Sequence, residues 1–243
     1  MKKSELLKYL PLLCPGCGRD DCTAPGGRLC PECTGKLLFF SPDMRCPGCG
    51  GENVSALEFC QQCLAEPPRP WKQALALFAY RTFGKDLIRR FKFNGQPQLA
   101  WPLGIMAAEL LAESGIKPDF LVPVPLTLIR QLNRTYNQSA LIAETISGIS
   151  GIPVLSPLVR RFTLRHQAMR DRNSRHQGLL REFRIRKTVR DLNLLLIDDV
   201  LTTGATLSAA ARTLLDAGAK EVNVLVLARS ISYDAKNTAV IPF

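Results

Sequence analysis

Residues 192–206 read Leu-Asn-Leu-Leu-Leu-Ile-Asp-Asp-Val-Leu-Thr-Thr-Gly-Ala-Thr. The apolar run Leu194 to Ile197 has the length and composition of a buried strand. It ends on two adjacent carboxylates, Asp198 and Asp199, and then on the turn-prone Thr202-Thr203-Gly204. From about Ala205 the pattern is helical: Leu207, Ala211, Leu214 and Leu215 share a face, and Gly218 is a fitting stop. A strand, an acidic edge, a small-residue loop and a helix N-terminus make a ready anion site, because free backbone N–H groups and the helix dipole point at one place. Thr202, Thr203 and Thr206 add hydroxyls without bulk. The two carboxylates suit ribose hydroxyls and a divalent metal. Capping alone would account for one of these polar residues and not for the ordered cluster.

Working outward, the strand Val222 to Leu227 pairs with Leu194 to Ile197 across the intervening helix. That is a βαβ unit, so the fold class is α/β with a parallel sheet flanked by helices. Upstream, Leu75 to Tyr80 reads as a strand, Lys85 to Phe91 as a basic helical turn, and Leu99 to Glu113 as a helix closed near Gly115. Asp119 to Leu126 reads as a second buried strand leaving into a proline-rigid loop. Beyond it come Arg130, Arg134, Tyr136, Asn137 and Gln138, then an amphipathic helix through Leu141, Ile142 and Ile146. Arg and amide side chains after a strand's C-terminal edge suit an anionic group.

All nine cysteines lie within residues 14–63, and eight form C-x-x-C pairs: Cys14/Cys17, Cys30/Cys33, Cys46/Cys49 and Cys60/Cys63. Gaps of 12 residues (18–29) and 10 residues (50–59) suit two structural Zn²⁺ sites of four thiolates each. Sequential ribbons are the simplest pairing, and the 12 residues from 34 to 45 also permit a cross-braced one. Cys22 is left over as an unpaired thiol. Closed four-thiolate sites have no open position for catalysis. With few apolar residues, the segment should fold only with metal. Three prolines within residues 67–70 make 67–71 a stiff linker. The expected division is a double zinc-ribbon module over 1–66, the linker, and a larger domain over 72–243.

The formal charge is +11. Two zinc sites of four thiolates, each carrying about −2, would lower it to about +7. The excess is local: residues 160–190 hold ten Arg and one Lys against Asp171 and Glu182. Such a surface attracts polyphosphates or nucleic acid, with Arg170, Arg172 and Arg175 at its centre. No stretch approaches the ~18–20 apolar residues of a membrane helix. Lys8 and Pro11 interrupt the apolar part of the N-terminal stretch, and no small-residue cleavage site follows. A cytoplasmic protein is the expectation.

The stretch LLLIDDVLTTGAT resembles the phosphoribosyl-pyrophosphate (PRPP) motif of the type I phosphoribosyltransferases. With the cysteine segment before it, the chain resembles the ComF family, whose relatives include GntX-type proteins, over nearly its whole length. VPVPL with RTYNQSALIA is similar to that family's proline-flanked strand and Arg-x-x-Asn-Gln segment. Lys92-Phe93 is similar to its early Lys–aromatic pair, and the span from Thr163 and Gln167 through Arg175 to Phe183 to its arginine/glutamine stretch. Thr135 stands where the family often has Gly, and Gly178 where it usually has Asn.

The resemblance implies that Asp198 and Asp199 contact ribose hydroxyls and Mg²⁺, and that Thr202 to Thr206 hold the 5′-phosphate. It places the loop after Pro125 toward pyrophosphate, with Arg130 or Arg134 nearby. It also implies a role in natural transformation or DNA utilisation, in contact with single-stranded DNA or uptake machinery. Three functions fit: a phosphoribosyltransferase with an unassigned acceptor, a module that binds PRPP without turnover, and a zinc-ribbon nucleic-acid adaptor that keeps the fold as scaffold.

Overall fold

The computed structural model describes residues 13–20, 25–126, 136–160 and 182–230. Two short helices, α1 (Pro31–Gly35) and α2 (Gln61–Ala65), each begin directly after a cysteine, Cys30 and Cys60. There follow β1 (Ala74–Ala79), α3 (Thr82–Phe93), α4 (Ala100–Glu113), β2 (Phe120–Pro123), α5 (Gln138–Ser150), β3 (Leu158–Arg160), β4 (Phe183–Ile185), β5 (Asn193–Leu201), α6 (Ala205–Asp216) and β6 (Glu221–Arg229). None of the described helices is long and apolar enough to cross a membrane.

The main sheet has the order β1-β6-β5-β2, and every pairing is parallel. Leu196 lies opposite Val224 and Asp198 opposite Val226, so β5 and β6 form the central pair. Strand alternation sorts the apolar residues into two cores. Leu195, Ile197, Leu225 and Leu227 face one side with Leu87, Phe91, Leu103 and Ile142 of α3, α4 and α5. Leu194, Leu196, Val224 and Val226 face the other with Leu207, Ala210 and Leu214 of α6. The α/β class read from the βαβ pattern is the observed one.

The strand expected to stop at Ile197 runs on through both carboxylates to Leu201. Pairing with β6 as far as Arg229 holds it extended. The antiparallel pair β3 and β4 was not legible beforehand: each strand has three residues, too short for a periodic signal.

The cysteine-bearing segment packs along the outer edge of β1. The Ala74 N–H donates to Pro47 O at 2.7 Å and the Ala79 N–H to Leu38 O at 2.8 Å, and Phe39 bridges to Phe78. An edge that would otherwise offer unpaired donors is thereby covered. Cys14, Cys30 and Cys33 join one core of the sheet, and Cys46, Cys49 and Cys63 the other. The segment straddles the edge with one cysteine cluster on each face. Residues 67–71 form neither helix nor strand, with Pro67 and Pro68 exposed at one end. Trp71 is buried, and its Nε1–H donates to Gly48 O at 2.9 Å.

Candidate functional site

A cavity of about 270 Å³ opens at the C-terminal ends of β2 and β5. Its floor is the turn from β5 into α6: Asp198, Asp199 and Thr202 through Thr206 all line it. The C-terminal edge of a parallel sheet is where open α/β folds present ligand sites. Gly204 makes the turn possible, with φ +77° at the position before the first residue of α6. A β-carbon there would lie 2.6 Å from Nη1 of Arg69. Thr203 Oγ1 accepts from the Ala205 N–H at 3.4 Å.

The two carboxylates differ in surroundings. Asp198 Oδ1 accepts from Ser139 Oγ and from the Asp199 N–H, both at 2.9 Å. Burial, then the neighbouring Asp199 charge, pushes its carboxyl up to about 7. Asp199 Oδ1 lies 2.7 Å from Lys92 Nζ, which α3 delivers into the cavity. Two adjoining carboxylates, once both are ionised, form a hard-oxygen donor set suited to Mg²⁺. Arg160, at the end of β3, also lines the cavity and is paired with Glu182 across the β3–β4 ladder.

Several sequence-derived site residues lie outside the described residues: Arg130, Arg134, Arg170, Arg172, Arg175 and the leftover Cys22. So do Thr135, Thr163, Gln167 and Gly178. Asn137 and Gln138, read beside the anion site, serve the fold. Asn137 Oδ1 caps α5 by accepting from the Ser139 N–H at 3.0 Å, and its Nδ2 donates to Val124 O at 3.2 Å. Gln138 is buried, with Nε2 3.5 Å from Phe91 O. The sequence reading did not assign Lys92, Ser139 or Arg160 to the cavity. Lys92 carried a signal in the Lys92-Phe93 pair and Arg160 in the basic run that begins with it, while Ser139 carried none.

The cysteines gather sequentially: Cys14, Cys17, Cys30 and Cys33 in one group, Cys46, Cys49, Cys60 and Cys63 in the other, with all sulfurs of a group within 4.8 Å of one another. The cross-braced alternative is not the one adopted. A tetrahedral ion with Zn–S near 2.3 Å separates its sulfurs by about 3.8 Å. Cys49 and Cys60 are 3.7 Å apart, and Cys17 and Cys30 4.0 Å. Backbone N–H groups of Cys30 and Cys60 donate to the sulfurs of Cys14 and Cys46 at 3.2 and 3.3 Å, the outer-shell support that thiolate ligands receive. Gly16 and Gly48 are required by closeness: a β-carbon would come within 2.9 Å of Cys33 Sγ and 3.0 Å of Cys63 Sγ. Both groups fit structural zinc.

A model of the phosphoribosyl transferase domain family matches residues 102–240. The chain is 30% identical to competence protein F of Haemophilus influenzae, over 93% of this chain and 100% of that protein. It is 31% identical to the DNA utilization protein YhgH of Salmonella typhimurium, over 76% of this chain and 84% of that protein. It is 30% identical to competence protein ComFC of Bacillus subtilis, over 92% and 96% respectively.

Proposed function

Since the chain belongs to the ComF family, which joins an N-terminal double zinc ribbon to a phosphoribosyl transferase domain, we propose that its cavity binds PRPP together with Mg²⁺. The observation that carries this reading is the convergence of Asp198, Asp199 and the Thr202–Thr206 turn on one cavity at the sheet's C-terminal edge. The turn and the N-terminus of α6 receive the 5′-phosphate. The two carboxylates hold the ribose hydroxyls and the metal. Lys92, inside the same cavity, offers a positive charge to the pyrophosphate, and Arg130 or Arg134 adds to it. Mg²⁺ supplies further positive charge to the phosphates. Glycosyl transfer at ribose C1′ passes through a cationic, oxocarbenium-like state, so basic groups beside the departing pyrophosphate favour it.

Pyrophosphate release from PRPP, with nucleobases and single-stranded DNA offered as acceptors, tests the enzymatic part. Acceptor-dependent release that disappears in Asp198→Asn/Asp199→Asn supports a transferase. Binding without release under any acceptor supports a module that uses PRPP as a ligand only.

The names of the relatives, together with the charge of residues 160–190, support single-stranded DNA as a partner in DNA uptake or utilisation. Phosphate contacts weaken with salt at a log–log slope of roughly −0.7 per contact. Replacing Arg170, Arg172 and Arg175 by Ala is expected to flatten that slope. An unchanged slope removes the segment from the interface.

A further inference from the structure

Behind the turn, away from the cavity, two guanidinium groups hold three consecutive backbone carbonyls. Arg229, the last residue of β6 and 1% exposed, donates through Nη1 to Leu201 O at 3.0 Å and Thr202 O at 2.7 Å. Arg69 donates through Nη1 to Thr203 O at 2.7 Å. Both arginines are in turn held by α2 and the residue that follows it. Gln62 Oε1 accepts from Arg229 Nη2 at 2.9 Å, and Glu66 pairs with Arg69. Gln62 and Glu66 flank Cys63, a ligand of the second cysteine cluster. Arg69 also lies 5.6 Å from the Trp71 ring, whose Nε1–H bonds to Gly48 inside the Cys46/Cys49 turn.

In a trans peptide, the carbonyl of one residue and the N–H of the next point in opposite directions. Holding the carbonyls of Leu201, Thr202 and Thr203 toward the guanidiniums therefore turns the N–H groups of Thr202, Thr203 and Gly204 the other way. Those three residues line the cavity. Successive N–H groups aimed at one point form an anion nest.

We propose that Arg69 and Arg229 are positioning residues that aim the turn's N–H groups into the cavity, and that Gln62 and Glu66, on either side of Cys63, set them in place. The zinc-ribbon segment thus acts on ligand binding without touching ligand. This rests on the PRPP-binding reading for the identity of the anion, while the brace itself is independent of it.

The test uses full-length, zinc-loaded protein: wild type, Gln62→Ala/Glu66→Ala, and the conservative Gln62→Glu, which keeps an acceptor for Arg229. Zinc content and melting temperature are checked first, since neither replaced residue is a zinc ligand. Two readouts follow: hydrogen exchange of residues 199–209 without ligand, and calorimetric titration with PRPP and Mg²⁺. The expected result for the double variant is faster exchange confined to the turn and at least fivefold weaker PRPP binding, with unchanged zinc content. Gln62→Glu should behave as wild type in both. Unchanged exchange in the double variant overturns the brace. Faster exchange with wild-type affinity overturns its role in binding. Failure of wild type itself to bind PRPP overturns the PRPP reading, and the exchange readout still decides the brace.

Discussion

Lys92 Nζ lies 2.7 Å from Asp199 Oδ1 inside the cavity, with both side chains largely shielded from water. Asp198, one residue earlier, is held instead by the Ser139 hydroxyl. The acidic pair is thus divided between a cationic and a neutral partner.

Lys92→Met should remove the positive charge while keeping the side chain's length. A charge-assisted hydrogen bond contributes about 1.5–3 kcal/mol. PRPP affinity is therefore expected to fall roughly tenfold to a hundredfold, read by titration with PRPP and Mg²⁺. Wild-type affinity would take Lys92 out of the ligand contacts.

The Asp198 carboxyl stands at about 7 in the folded protein, against roughly 3.9 in an unfolded chain. The folded state therefore holds this proton more tightly. Its contribution to stability is fully present below about pH 4, declines as pH rises toward 7 and is lost above it. Asp198→Asn removes the penalty, so in urea unfolding without ligand the variant should gain on wild type at pH 8 relative to pH 4. PRPP–Mg²⁺ binding needs the ionised carboxylate, so wild-type affinity should increase from pH 6 to pH 8. A flat profile in both measurements would contradict the assigned surroundings of Asp198.

Gly204→Ala forces a side chain into a left-handed backbone at φ +77°, with its β-carbon 2.6 Å from Arg69 Nη1. The backbone term alone costs about 1–2 kcal/mol, and Arg69 must move as well. A lower melting temperature together with weaker PRPP binding is expected. Gly95→Ala is the control: its φ is +62° and open space surrounds it, so it should lose stability without losing affinity.

Metal analysis should find two zinc ions per chain, one for each group of four sulfurs. Cys46→Ser should keep one, in the Cys14/Cys17/Cys30/Cys33 site. Chelation of both is expected to uncover the edge of β1, read as faster hydrogen exchange at Ala74 and Ala79 and as aggregation. A folded, monomeric protein after complete zinc loss would contradict the structural role of the clusters.

The chemistry written in local order was readable in advance. Leu194 to Thr206 announces strand, acids and turn by consecutive residues, and the cysteine pairs announce two metal groups by spacing alone. What escaped was assembled through space. Arg229 lies two residues past the strand read as Val222 to Leu227, and its partners include Gln62, Leu201 and Thr202. Ser139 sits two residues past a helix cap, with nothing local to show that its hydroxyl would donate a hydrogen bond to Asp198. The sequential grouping of cysteines was one of two arrangements that the spacing allowed. Packing of Gly16 on Cys33 and of Gly48 on Cys63 goes with the one adopted.

Calorimetric titration of zinc-loaded protein with PRPP and Mg²⁺, wild type beside Asp198→Asn/Asp199→Asn, addresses the proposed function most directly. Micromolar binding by wild type, lost in the double variant while zinc content and melting behaviour persist, is the expected result. A folded wild-type protein that does not bind PRPP, or a double variant that binds it as well as wild type, would contradict the assignment of this cavity.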